Sequence, residues 1–136
     1  MTSTIVYQGQ LRTSATHLQS QSVIESDAPT DNHGKGERFS PTDLLATSLG
    51  SCMLTIMGIK AGEMNINLDG TKADIQKHVK ADPRRVSGID IIITFPSTLS
   101  LSDKEKTILK NAALACPVAK SLHPDLEQKV EFLWND

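Results

Sequence analysis

Two cysteines, Cys52 and Cys116, are the residues whose type and surroundings could support redox chemistry. A reactive thiolate attacks a peroxide oxygen and becomes a sulfenic acid, which a second thiol converts to a disulfide. The two thiols must then reach disulfide geometry, with Cα atoms about 5.5–6 Å apart. The competing interpretation is that both are small core residues, because reduced cysteine is among the most buried residue types. Local sequence alone leaves both interpretations open.

Cys52 lies in a stretch that predicts a long buried helix. Ser40, Pro41 and Asp43 form an N-terminal capping signature, and residues 44–59 contain no charged side chain and are apolar or small on every face. The helix dipole cannot activate Cys52, because its effect fades within the first turn. A reactive Cys52 therefore needs another positive group beside its thiolate.

Cys116 stands directly before Pro117, so the second helix is predicted to break there and a short helix, 117–122, to begin. Cys116 would then cap that helix. A thiol at a helix N-terminus has a lowered pKa. Local physics alone thus predicts Cys116 as the easier thiolate of the two.

The remaining elements predict an α+β fold with helices on one side of an antiparallel sheet. Residues 4–27 alternate like two or three short strands, residues 89–95 form the clearest strand, and residues 127–134 form a closing strand. Ser102 and Glu105 make a second capping box, so the fold has two long helices. A length of 136 residues fits a single domain, 1–136.

Composition excludes several classes of function. A net charge of −2 gives no basic face for nucleic acid. The four histidines share no metal-ligand spacing, and the sequence has no dinucleotide fingerprint, so no metal or bound cofactor is expected. The first residues carry no secretory signal, which predicts a cytoplasmic protein. The long helix is too rich in Ser, Thr and Gly to suggest a membrane span. Because so small a domain cannot readily cover a helix that is apolar on every face, we expect a second subunit to help bury it.

Two segments resemble motifs of the OsmC/Ohr family, the osmotically inducible and organic hydroperoxide resistance proteins: SPTDLLATSLGSCM around Cys52 and LACPVAKSLHP around Cys116. DAP at residues 27–29 and DPRRVSGIDIIITF before the central strand are also similar. The resemblance implies an OsmC-like intertwined homodimer that reduces organic hydroperoxides and is recycled by an external thiol or dithiol. It also implies that Cys52 is the peroxidatic cysteine and Cys116 the resolving one.

Family peroxidases place an arginine and a glutamate beside the reactive thiolate. Here Thr42 stands at the usual glutamate position and Asp43 follows it, so the pattern is nearer the OsmC-like branch. Arg12 and Arg38 are the candidate arginines, with Arg12 preferred. Two alternatives remain: a dimer that binds a lipid-like small molecule, and a redox-sensing partner protein, neither with significant peroxidase turnover.

Overall fold

The computed structural model describes residues 1–135. Within it the chain forms two compact units, one spanning Met1–Leu45 and one beginning at Ala46. The single domain over residues 1–136 stays a prediction, and its last residue lies outside the described residues.

The first unit contains a three-stranded antiparallel sheet in the order β1-β2-β3, with β1 at Ser3–Gly9, β2 at Arg12–His17 and β3 at Val23–Asp27. Gly9 has a φ of 83°, in the left-handed region where glycine is tolerated, and the register shifts at this residue. The predicted short strands within residues 4–27 are confirmed. The loop that follows contains one 3₁₀ turn, Thr30–Asn32.

Helix α1 spans Pro41–Glu63, and the predicted capping signature opens it. The backbone N–H of Asp43 donates to Ser40 Oγ at 3.0 Å, and the N–H of Ser40 donates to Asp43 Oδ2 at 3.0 Å. These reciprocal bonds satisfy backbone donors that a helix start leaves without intrahelical acceptors.

The second unit contains a mixed three-stranded sheet in the order β4-β5-β6, with β4 at Lys72–Lys80, β5 at Arg85–Thr94 and β6 at Glu127–Leu133. β4 and β5 are antiparallel, whereas β6 runs parallel to β5. Helices α2, Asp103–Leu114, and α3, Pro117–Ser121, lie between β5 and β6 along the chain. They form the crossover that parallel pairing requires. The α+β class is confirmed, and this parallel pair is the departure from the expected antiparallel sheet.

One hydrophobic core holds the second unit together. Its buried side chains come from α1, β5 and α2: Leu49, Met53, Met57, Ile89, Ile91, Ile93, Leu109 and Ala113. At Gly50 the helix passes close to β4, since a Cβ there would lie 2.5 Å from Ile75 Cδ1. The sheet and helices therefore fix the backbone that carries both cysteines.

Burial of α1 within one chain is one-sided, although its sequence predicts burial on every face. Its fully buried residues recur at helical spacing, as at Leu49, Met53 and Met57, whereas Ile59 is 59% exposed. By length and composition α1 is also apolar enough to cross a membrane, with a mean hydropathy of 1.5 over a window that is 33% buried. An apolar face of the helix thus stays uncovered in a single chain.

Candidate functional site

The two cysteines meet in the core of the second unit. Cys52 lies in the middle of α1 beside buried Met53 and is half-buried, while Cys116 is completely buried between α2 and α3. Both are free thiols. The Cys52 side chain is close enough to make a side-chain hydrogen bond with Cys116. The two thiols are therefore neighbours within one chain.

Cys116 occupies the position that its proline neighbour predicts. Its backbone is extended, with φ −65° and ψ 152°, and Pro117 is the first residue of α3. The Cys116 Sγ accepts a hydrogen bond from the N–H of Ala119 at 3.4 Å, so the sulfur is the N-cap of the short helix. The predicted helix break is confirmed.

The ionisation of Cys116 differs from the expectation drawn from its capping position. Burial raises the pKa of the Cys116 thiol, because the core penalises a thiolate more than the Ala119 hydrogen bond stabilises it. The neighbouring Cys52 side chain raises that pKa further. The capping position therefore does not lower the pKa of Cys116, and its protonated form is favoured near neutral pH.

Arg12 lies in the first unit and is held by a buried carboxylate. Its Nε donates to Asp27 Oδ1 at 2.6 Å and its Nη2 donates to Asp27 Oδ2 at 2.8 Å. The Asp27 side chain is only 1% exposed, against 20% for Arg12. Hydrogen bonds from Arg12 hold the pKa of Asp27 below its ordinary value despite burial, and the same fork raises the pKa of Arg12. Arg12 is thus a fixed cation.

Sequence reasoning selected Arg12 but missed Asp27. The two residues are directly opposed in the antiparallel pairing of β2 and β3. Opposite charges at opposed positions attract each other across strands. In the sequence Asp27 stands out only as part of the DAP element, because its register with Arg12 depends on how the two strands pair.

Arg38 is held much less firmly than Arg12. Its Nε lies 3.3 Å from Glu25 Oε1, and its Nη1 donates to the carbonyl oxygen of Glu37 at 3.0 Å. The Arg38 side chain is 46% exposed. Exposed pairs of this kind are screened by solvent and hold a side chain weakly. Of the two candidate arginines, Arg12 is the one with a defined position.

Asp43 and Thr42 lie at the start of α1. Asp43 accepts the N–H of Ser40 as part of the capping box, and Thr42 Oγ1 lies 3.2 Å from Ser40 Oγ. The carboxylate at residue 43 therefore has a structural role in starting the helix. A catalytic role for Asp43 stays a prediction.

His78 and Asp90 of the second sheet form a surface pair. His78 Nε2 lies 2.8 Å from Asp90 Oδ2, with both side chains more than 40% exposed. Among residues 1–135, no group of three or more His, Cys, Asp or Glu side chains could hold a metal ion.

Solved structures of similar fold include proteins whose names refer to osmotic stress or to hydroperoxide resistance. A protein from Psychrobacter arcticus, whose name refers to osmotic stress induction and a detoxification response, matches with 61% identity and a TM-score of 0.93, covering 97% of this chain and 95% of that one. An organic hydroperoxide resistance protein OsmC from Legionella pneumophila matches at 14% identity and a TM-score of 0.75, covering 98% of both chains. The organic hydroperoxide resistance protein OhrB of Bacillus subtilis matches at 18% identity and a TM-score of 0.67, covering 97% of this chain and 98% of that one.

No curated protein matches the sequence. The two hydroperoxide resistance proteins, at low identity, are similar in fold alone. The family model for OsmC-like protein matches residues 34–131, a range that contains both cysteine motifs and most of the second unit. This chain belongs to the OsmC-like family.

Proposed function

We propose that this protein is a thiol peroxidase that reduces organic hydroperoxides, with Cys52 as the attacking thiol and Cys116 as the resolving thiol. The observation that carries the proposal is the contact between a half-buried and a fully buried thiol whose pKa is raised. The more accessible sulfur can meet a peroxide, while the protonated partner is kept out of the first step. Family membership and hydroperoxide resistance proteins of the same fold support a role in peroxide defence.

The reaction divides into two balanced steps. The Cys52 thiolate attacks the terminal peroxide oxygen, the O–O bond breaks, and the alcohol leaves with a proton, so that the sulfur becomes a sulfenic acid. Cys116 then attacks the Cys52 sulfur, an S–S bond forms and water leaves. An external thiol or dithiol returns the disulfide to two thiols by exchange. The chain therefore needs no bound cofactor for this cycle.

We assign the stabilisation of the Cys52 thiolate to Arg12. A guanidinium offers a permanent charge and directed N–H donors, and both lower the pKa of a thiol beside it. The fixed position of Arg12 supports this choice over Arg38, whose ion pair is longer and exposed. Cys52 lies in the middle of α1, where the helix dipole does not stabilise a thiolate. In this proposal the positive charge of Arg12 provides that stabilisation.

In this proposal the protein is a homodimer of two copies of this chain. Apolar side chains of the first sheet stay exposed in one chain, with Ile5 and Tyr7 each at 63% and Ile24 at 53%. Ile59 on α1 is exposed as well. Monomeric proteins rarely leave large apolar faces uncovered. A homodimer in the cytoplasm, in which each chain covers these faces of the other, accounts for them.

A ligand-binding dimer without turnover is the less favoured candidate. An apolar groove beside α1 is lined by Gly50, Ser51, Leu54 and Ile75, among others, and has a volume of about 250 Å³. Pockets for small molecules usually occupy about 300–1,000 Å³. The groove of one chain is therefore small for that role, whereas the paired thiols have a direct chemical use.

The test is to mix reduced protein with cumene hydroperoxide and to follow thiols and disulfide by mass spectrometry. We expect the loss of two thiols per chain and a Cys52–Cys116 disulfide. Cys116→Ser, the matched control, should still form a sulfenic acid that dimedone traps, whereas Cys52→Ser should not react. Unchanged thiols in the wild type, or a Cys52→Ser variant as reactive as wild type, would contradict the proposal.

A further inference from the structure

We propose that oxidation of the two thiols releases the cap of α3, so that this short helix loosens when the Cys52–Cys116 disulfide forms and folds again when the disulfide is reduced. The inference rests on the proposed function, because the disulfide is the product of its second step. It extends that function from the two sulfur atoms to the segment that covers one of them. All the residues involved lie in the second unit.

The Cys116 sulfur has two contacts that depend on its position. It accepts the N–H of Ala119 at 3.4 Å as the N-cap of α3, and it lies within hydrogen-bond reach of the Cys52 side chain. A covalent bond is shorter than a hydrogen bond between the same two sulfur atoms, so disulfide formation must bring them closer together. At least one of the two sulfur atoms therefore moves on oxidation.

The movement falls mainly on Cys116, because Cys52 lies on the more firmly held backbone. Cys52 is in the middle of a 23-residue helix, and the next residue, Met53, is completely buried. Cys116 lies at the break between two helices, where the backbone is extended. The cap bond to Ala119 depends on where the Cys116 sulfur lies now, so we expect its displacement toward Cys52 to break that bond.

Helix α3 is short and held by few contacts besides its cap. None of its five residues is completely buried, and it ends at Leu122, where the backbone is extended. The first turn of a helix fixes several residues for each hydrogen bond that it forms, so a helix this short is marginal without outside support. That support comes from Val118, which packs against the core, and from Gln128, whose Nε2 donates to the carbonyl oxygen of Ala119 at 3.1 Å. Loss of the cap should therefore shift α3 toward an open form.

An open α3 would assist the return of the disulfide to two thiols. The Cys116 sulfur is completely buried while α3 is folded, so an external thiol cannot reach it from that side. Thiol–disulfide exchange depends on access to the sulfur that is attacked. The oxidised protein then exposes its disulfide to the reductant, whereas the reduced protein keeps its resolving thiol covered.

The experiment compares hydrogen exchange in the reduced protein with exchange in protein oxidised by diamide, which accepts the two hydrogens as the S–S bond forms. We expect the amides of residues 118–122 to exchange at least about twofold faster in the oxidised protein, which is the effect of losing a weak helix cap. A disulfide otherwise constrains the chain and favours slower exchange. Unchanged or slower exchange in α3, or faster exchange throughout the second unit, would overturn the inference.

Cys116→Ser is the matched control for the exchange experiment. Serine keeps an N-cap acceptor for the N–H of Ala119 but cannot form the disulfide. Exchange in α3 of this variant should be the same before and after treatment with diamide. If it becomes faster after treatment, the loosening does not come from the Cys52–Cys116 disulfide and the inference is wrong.

A second variant tests the consequence for reduction. Gln128→Ala removes a hydrogen bond that holds α3, so dithiothreitol should reduce the diamide-formed disulfide about 2–10-fold faster than in the wild type. Gln76→Ala in β4 is the control, because the Gln76 side chain donates to the carbonyl oxygen of Lys77 and not to α3, and it should match the wild type. Equal rates in Gln128→Ala and the wild type would show that α3 does not limit access, which would overturn the inference.

Failure of this inference can be told apart from failure of the proposed function. Diamide forms the disulfide without peroxide, so exchange in α3 can be measured even if Cys52 does not react with a hydroperoxide, a result that refutes the peroxidase alone. A peroxide-reactive protein with unchanged exchange in α3 refutes only the inference. If diamide forms no Cys52–Cys116 disulfide, both the inference and the resolving step of the proposed function fail.

Discussion

In the proposed mechanism, the raised pKa of Cys116 should make the resolving step depend steeply on pH. Burial opposes ionisation of this thiol, and the N-cap hydrogen bond from Ala119 does not compensate. The resolving step needs the Cys116 thiolate, so its rate follows the ionised fraction. A raised pKa keeps the Cys116 thiol protonated at pH 7, so the rate of the resolving step should increase only at higher pH.

The increase of the ionised fraction between pH 7 and pH 9 distinguishes a thiol with a raised pKa from a thiol with an ordinary pKa. A thiol with the ordinary pKa of about 8.5 is about 3% ionised at pH 7, and its ionised fraction grows roughly 25-fold between pH 7 and pH 9. For a thiol with a clearly raised pKa, the growth over the same interval approaches about 100-fold. If the helix N-terminus dominated instead, the thiol would already be ionised and the rate nearly flat.

The assay is rapid quenching after a pulse of excess cumene hydroperoxide, with disulfide formation followed by mass spectrometry. Excess peroxide converts Cys52 to the sulfenic acid first, so the later phase reports the resolving step and does not depend on peroxide concentration. Cys116→Ser is the control and should lack this phase. A rise of about 25-fold or less between pH 7 and pH 9, as for an ordinary thiol, would refute the reasoning.

Two further predictions concern packing and assembly. Phe95 is 1% exposed and stacks on Trp134 with ring centroids 4.2 Å apart, so Phe95→Ala should lower the free energy of unfolding by about 3–5 kcal/mol, measured in urea. A loss under about 1 kcal/mol would mean that the stack is not part of the core. Sedimentation at micromolar concentration should give twice the mass of one chain, because the exposed apolar sheet needs cover; a single-chain mass would contradict the homodimer.

The starts of the two long helices and the helix break at Cys116 could be predicted from the residues next to them. Ser40 and Asp43 start α1, Ser102 and Glu105 start α2, and the helix breaks at Cys116, as the sequence predicts. Each of these features depends on residues within one turn of helix, so no knowledge of the fold was needed.

Features that depend on distant contacts could not be predicted in the same way. The parallel direction of β6 is set by how the crossover packs, not by the residues of the strand. The pairing of Arg12 with Asp27 needs the register of two strands. The pKa of Cys116 is decided by the core around it, and a rule based on its helix position alone gives the wrong sign.

The parallel strand pair has a consequence for the maturation of the protein. Gly88 in β5 pairs with Glu127 in β6, and Gln128 of β6 donates to the carbonyl oxygen of Ala119 in α3, at 3.1 Å. The pairing of Gly88 with Glu127 joins distant parts of the chain, and such contacts form late because the intervening loop must first be closed. Before β6 docks, the environment that suppresses ionisation of Cys116 is incomplete. We therefore expect Cys116 to ionise more easily in a chain whose β6 has not yet docked than in the folded protein.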